Sequence, residues 1–144
     1  MDAFKFIENF SSVISKFGCW PSFHDGEVLR IVLDRSGLSE PQAPSLEISI
    51  RCWIMGPEVT SEGFYRQNND SVVHFLFEDI FDLEIEGFNG QNVLSSLDLF
   101  VIENPAGCTA LRVVLEHCYL FAGEFSARKA KILGIDPYVS QTVK

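Results

Sequence analysis

The chain has 144 residues, of which 47% are hydrophobic, and a formal net charge of −9 at pH 7. This length predicts a single domain over 1–144 with an ordered core at about 2–137, and the hydrophobic content excludes a disordered chain. Because an acidic surface repels phosphate, the charge disfavours nucleic acid as a partner; it favours a basic protein, or serves solubility alone.

The N-terminus and the cysteines predict a cytoplasmic protein. The first residues are amphipathic and lack the regions of a signal peptide, and no apolar run approaches the roughly 18 residues needed to span a bilayer. The four cysteines form no Cys-x-x-Cys pair, so we expect reduced thiols and no structural zinc. We therefore expect no membrane partner and no cofactor.

A helix is predicted over 2–17. Its apolar residues recur at spacings of three and four, which places them on one face that needs a partner. Asp2 is suited to cap the start and Gly18 to end the helix. The apolar residues of this face are Phe6, Phe10, Val13, Ile14 and Phe17.

The rest of the chain alternates between apolar and polar residues, as β-strands do. A polar, turn-rich loop is expected at 56–70, and the gap at 79–80 indicates a bulge or a bend within one long strand. The predicted strands cover 27–34, 45–55, 71–78, 81–86, 97–103, 109–121 and 125–133.

Two of these strands carry information about their position in a sheet. The strand at 71–78 is apolar on both faces, which predicts a central position. The strand at 125–133 contains Lys129 and Lys131, which predicts an exposed edge. Short turns without intervening helices favour antiparallel pairing. The predicted fold class is α+β, mostly β, with the N-terminal helix packed on a largely antiparallel sheet of about six to eight strands.

One short connection between the helix and the first strand is rich in large and titratable side chains. It reads Trp20-Pro21-Ser22-Phe23-His24-Asp25-Gly26-Glu27. A structural role is favoured, with the aromatic side chains in a core and His24 hydrogen-bonded to backbone. That role covers Trp20, Pro21, Phe23, His24 and Asp25. The alternative is a metal site formed by His24, Asp25 and Glu27, which would need further ligands.

No local motif of an enzyme is present. The chain has no Gly-x-Ser-x-Gly elbow, no recognisable cysteine nucleophile and no Gly-rich phosphate loop. A Ser/His/Asp arrangement assembled by the fold stays open, because such sites need no local motif.

Acidic and aromatic side chains outside the predicted core are candidates for a protein-binding surface. Charged groups steer a partner of opposite charge, and aromatic side chains supply affinity. The candidates are Glu47, Trp53, Glu62, Tyr65, Asp82, Glu84 and Glu86.

Two segments resemble the immunity protein 50 family of bacterial polymorphic toxin systems. The more specific one is the Trp20–Glu27 connection with its flanks, and the other runs from Leu83 through Phe88-Asn89-x-Gln91-Asn92-Val93-Leu94. The resemblance covers about Phe17 to Pro137. It implies a cytoplasmic protein, encoded beside a toxin, that binds and neutralises that toxin and is not an enzyme.

The leading hypothesis is therefore a protein that neutralises a cognate toxin of basic character by direct contact, as a monomer or a dimer. A small metal-dependent enzyme that uses His24, Asp25 and Glu27 is the first alternative. A structural domain that self-associates through an edge strand is the second.

Overall fold

The computed structural model describes residues 2–37, 43–59, 65–103 and 105–139, with the backbone alone at 55–59 and 65–69. A short 3-10 turn at Ala3–Phe6 precedes helix α1 at Phe10–Phe17. None of the helices in this part of the chain is long and apolar enough to cross a membrane. The strands are β1 (Glu27–Asp34), β2 (Ser45–Val59), β3 (Tyr65–Glu86), β4 (Leu94–Glu103), β5 (Thr109–His117) and β6 (Ala122–Pro137).

The six strands form one antiparallel sheet in the order β1-β2-β3-β6-β5-β4. This confirms the predicted fold class and the central position of the segment at 71–78, which lies in β3. The predicted edge position of 125–133 is wrong, because β6 lies between β3 and β5. Its Lys131 extends over the solvent-facing side of the sheet, 3.8 Å from Glu78. The side of the sheet that faces away from α1 is called the outer face below.

The prediction of a continuous helix over 2–17 is wrong at its middle. Asn9 is left-handed, with φ of 67°. The backbone of Glu8 instead joins β6: its N–H donates to the Ala130 carbonyl at 2.8 Å, and its carbonyl accepts from Ile132 at 2.9 Å. The side chain of Asp2 caps no helix, whereas Gly18 ends α1 with φ of 83° as predicted. Val13 and Phe17 pack into the core against the sheet.

The long hairpin of β2 and β3 reaches into the predicted loop at 56–70, since β2 ends at Val59 and β3 begins at Tyr65. The predicted bend within one long strand is confirmed. Asp79 and Asp82 in β3 have φ of 55° and 53°, and the register against β6 shifts between Phe81 and Glu84. The irregularity bends the strand, because left-handed residues turn the following side chains to the other face.

A row of aromatic rings runs through the core. Phe23 lies 5.9 Å from Phe75, which stacks on Phe77 at 5.8 Å, and Phe77 meets Phe125 edge-on at 4.9 Å. Cys52 is buried at the margin of this core, where desolvation raises the pKa of its thiol to about 12. Aromatic pairs of this geometry add to the free energy gained from burying their area. Cys118, expected in a strand, is instead exposed in the turn after β5.

Candidate functional site

The two segments that carry the family resemblance are hydrogen-bonded to each other. Residues 22–28 lie antiparallel to residues 92–97, and we call this pairing the seam. Asp25 N–H donates to the Leu94 carbonyl at 2.9 Å, and Leu94 N–H donates to the Gly26 carbonyl at 2.8 Å. Val28 N–H reaches Asn92, and Leu97 N–H reaches Ser22. The seam links the two outermost strands, so the sheet closes on itself at this end.

Asn92 satisfies the backbone at the centre of the seam. Its side chain is 3% exposed. The amide nitrogen donates to the carbonyls of Val28 at 3.2 Å and Asn89 at 2.9 Å, and the amide oxygen accepts from Asn89 N–H at 2.8 Å. Its own N–H donates to a carboxylate oxygen of Glu27 at 3.3 Å. Buried polar groups that are fully partnered rigidify and specify a structure, so this residue holds the closure in register.

The aromatic residues of the connection fill the core beneath the seam. Phe23 is 2% exposed, and the half-buried Trp20 stacks on Phe4 with ring centroids 5.0 Å apart. Phe23 and Asp25 have φ of 62° and 63°, a region that bulky residues rarely adopt. A Cβ on Gly26 would lie 2.9 Å from the carbonyl oxygens of both Arg51 and Phe23. The positive φ of Phe23 therefore directs its ring into the core while the residues on either side keep their hydrogen bonds in the seam.

Of the alternative metal site, His24 and Asp25 lie close together, whereas Glu27 bonds to a different partner. His24 Nδ1 lies 2.9 Å from the Ser95 carbonyl, and its Nε2 lies 3.5 Å from Asp25. Glu27 is occupied by the backbone of Asn92. Within the described ranges, no three His, Cys, Asp or Glu side chains are grouped to hold a metal ion. The geometry thus gives this alternative no support.

A Ser/His/Asp chain does occur, on the outer face of β2, β3 and β6. Ser49 Oγ lies 2.7 Å from His74 Nδ1, and His74 Nε2 lies 2.9 Å from Asp136 Oδ2. A nucleophile must reach its substrate, but Ser49 is only 4% exposed. We interpret the chain as a polar cross-link between three strands.

Arg51 makes a second polar cluster beside this chain. It forms a bidentate pair with Asp70 at 3.0 and 2.8 Å, and its guanidinium lies 3.7 Å from the centroid of the Tyr138 ring and 5.3 Å from that of Trp53. The hydrogen bond with Asp70 raises the pKa of Arg51. Trp53 is therefore half-buried beside a cation.

A concave feature, a cleft of about 620 Å³, lies between the end of β3, the end of β5 and the start of β6. Its carboxylates belong to Glu84, Glu86, Glu116 and Glu124, and we call it the acidic cleft. Glu84 lies directly opposite Glu124 across the strands, and Glu124 lies opposite Val114. The same row ends at Asp98 on β4, which pairs with Val114.

One arginine offsets part of this negative charge. Arg112 lies 2.9 Å from Glu124 and donates to the Ser126 hydroxyl at 3.1 Å and to the Asp82 carbonyl at 3.3 Å. Like charges placed directly opposite in a sheet destabilise it. The cleft therefore keeps an excess of negative charge at a cost in stability.

Five of the seven predicted interface residues have side chains that the structure describes. Glu84 and Glu86 line the acidic cleft, and Asp82 is exposed next to it. Glu47 lies on the outer face in an ion pair with Arg30. Glu62 and the side chain of Tyr65 lie outside the described residues, while Trp53 packs against Arg51.

Sequence reasoning missed Glu116 and Glu124, which the fold brings into one cleft with Glu84 and Glu86, and Asp98 at the far end of the same row. The available signal was the alternation within β5 and β6, which marks Glu116 and Glu124 as solvent-facing. That signal does not say which strands are neighbours, so the cluster depends on the strand order.

The chain was compared with models of known protein families, with curated proteins and with solved structures. A family model described as Immunity protein 50 matches residues 9–138, which includes both segments of the seam. No curated protein and no solved structure matches the chain.

Proposed function

This chain belongs to the immunity protein 50 family, and we propose that it neutralises a cognate bacterial toxin by direct protein–protein contact. The proposed contact surface is the acidic cleft. Four glutamates surround a concavity there that is large enough for several side chains: Glu84, Glu86, Glu116 and Glu124. The toxin surface it fits is basic. In this proposal the protein is cytoplasmic, belongs to a polymorphic toxin system and has no enzymatic activity of its own.

The charge distribution supports this proposal. A net charge of −9 attracts a basic partner from a distance, and a cleft lined by one sign of charge strengthens the local potential. Such steering raises the association rate and makes it depend on salt.

The repulsion between carboxylates within the acidic cleft also supports the proposed binding of a basic toxin. Glu84 and Glu124 face each other directly, although glutamine at either position would fit the same strand geometry. A basic partner turns this repulsion into attraction, because it supplies positive charge to both carboxylates at once. The arrangement is thus less costly in the complex than in the free protein.

The test uses the toxin domain encoded beside this chain, which we call the neighbouring toxin. Purified wild-type protein should bind it and protect cells that express it. The double variant Glu84→Lys/Glu86→Lys should associate at least about tenfold more slowly at low salt, since two steering charges are reversed. Stopped-flow or surface-based kinetics measures the rate.

Glu8→Lys is the control, because Glu8 is exposed, lies on the side of the molecule that holds α1 and undergoes the same charge reversal as each substitution of the double variant. It should associate at nearly the wild-type rate. A wild-type protein that neither binds the toxin nor protects against it would overturn the proposed function. Equal association rates for the double variant and the control would show that the acidic cleft is not the contact surface for the toxin.

A further inference from the structure

The end of β4 has an open edge. Beyond Leu97, whose N–H is bonded to Ser22 at the seam, β4 pairs with β5 on one side only, and no other described residue pairs with its second side. This free part covers 98–103 and carries four consecutive apolar residues between two acidic ones. Phe100, Val101 and Ile102 are 53%, 36% and 37% exposed. Proteins ordinarily protect such an edge, because it is a template for another strand.

The free hydrogen-bonding groups of this edge follow from the register. Leu97 directs its N–H away from β5, and hydrogen-bonding direction alternates along a strand. The pairing with β5 runs without a shift from Ser96 to Glu103. Leu99, Val101 and Glu103 therefore also direct their N–H and C=O groups outward, which gives an added strand three residues with which to bond.

A groove runs beside this edge. It measures about 290 Å³, and its lining combines the stacked rings of Phe4 and Trp20 with apolar side chains of β4. Asp2 and Asp98 are the carboxylates that line it. A strand added to β4 would place alternate side chains in this groove, in the way that peptides bind to exposed sheet edges.

The charges decide between two occupants. A second copy of the chain, paired antiparallel, would place the Asp98 end of each edge beside the Glu103 end of the other, and both copies carry a net charge of −9, so self-pairing is unfavourable. An extended segment with apolar side chains in the middle and lysine or arginine at its ends meets carboxylates at both ends of the edge. The acidic row that ends at Asp98 continues the same attraction from the acidic cleft.

We infer that the toxin docks an extended, basic-flanked apolar segment as a seventh strand on the free edge of β4. This inference rests on the proposed function and specifies where and how the toxin is held. The acidic cleft attracts the basic surface, and the backbone of Leu99 and Val101 then bonds to the docked segment.

The test is Val101→Pro, measured as the equilibrium affinity for the neighbouring toxin. Proline removes the outward N–H at this position and spares the bonds to β5, since proline is tolerated at strand edges whose N–H faces solvent. The Kd should rise at least tenfold. Val101→Thr, which keeps both the N–H and the branched shape, is the matched control and should bind like wild type.

A second measurement does not depend on the variant folding. In the wild-type protein, amide hydrogen exchange at Leu99 and Val101 should slow by more than tenfold when the toxin is bound. Toxin binding with unchanged exchange at these amides, or an unchanged Kd for folded Val101→Pro, would overturn the docking site and leave the proposed function intact. A free-protein dimer that Val101→Pro dissociates would assign the edge to a second copy and overturn it too.

Discussion

The two ends of β4 differ in the hydrogen bonding of their backbone. At its start, Leu94 and Leu97 are bonded to residues 22–26, and the buried Asn92 satisfies the groups beside them. At its end, residues 98–103 have a partner on one side only among the described residues. The same strand thus closes the sheet at one end and leaves it open at the other.

The difference sets the architecture of the seam apart from the proposed binding surface. The Trp20–Glu27 segment and the 92–94 end of the second segment lie at the seam, where a ring at positive φ, a close glycine and a buried amide need particular residues. The open edge and the acidic cleft consist mainly of apolar and acidic residues that occur on any sheet, and Glu84 and Glu86 of the second segment belong to the cleft. The most specific motif of this chain therefore marks architecture, and the proposed binding surface overlaps the looser segment at Glu84 and Glu86.

The largest expected effect contrasts two phenylalanines. Phe23→Ala should lower the free energy of unfolding by about 4 kcal/mol, because it empties a site that is 2% exposed and packed against Trp20 and Phe75. Phe100→Ala removes the same atoms from a side chain that is 53% exposed and should cost less than about 1 kcal/mol. Urea denaturation measures both. Equal losses would contradict the assignment of the seam as the stabilising end.

The next effect tests the polar centre of the seam. Asn92→Ala should lower the free energy of unfolding by about 2 kcal/mol, since it leaves the Val28 carbonyl and the Asn89 N–H without their partner. Gln91→Ala, at the exposed neighbouring amide, should change it by less than about 0.5 kcal/mol. Thermal unfolding of the two variants compares them, and a neutral Asn92→Ala would mean that the seam closes without this residue.

The smallest effect runs in the opposite direction, at the acidic cleft. Glu84→Gln should raise the free energy of unfolding by about 0.5 kcal/mol, because it removes the repulsion from Glu124 across the strands. Glu86→Gln, opposite Ala122, should change it less. Denaturation at low and high salt measures the gain, which should shrink as salt screens the repulsion. A loss of stability in Glu84→Gln would show that Glu84 makes a favourable contact in the free protein.

Much of the fold could be predicted because its strands alternate clearly. The predicted bounds of β1 are those observed; the two apolar faces of 71–78 predict its central position, and the short gap at 79–80 predicts the bend within β3. The errors arose where distant residues decide the local structure. Glu8 breaks the predicted helix because its backbone bonds to β6, and no local pattern shows that bond.

The lysines of β6 explain the error in strand order. The sequence pattern predicts that Lys129 and Lys131 protect an edge strand. In the structure, Lys131 instead lies on the exposed face of the central strand β6, near Glu78. Charged residues in a strand indicate that it contacts water, but they do not show whether the water lies at a face of the sheet or at its edge. For the same reason only the part of the acidic cleft within β3 could be predicted, since Glu116 and Glu124 join it through pairing.

The position of β6 sets the order in which the molecule can assemble. Strand β6 follows the other five in chain order and yet lies in the middle of the sheet, between β3 and β5. Before β6 pairs, the backbone bonds of the seam are the ones that join the β1–β3 meander to the β4–β5 hairpin among the described residues. Both walls of the acidic cleft and the support behind β4 therefore form together when β6 is inserted, so a chain shortened before β6 would lack the whole of the proposed binding surface.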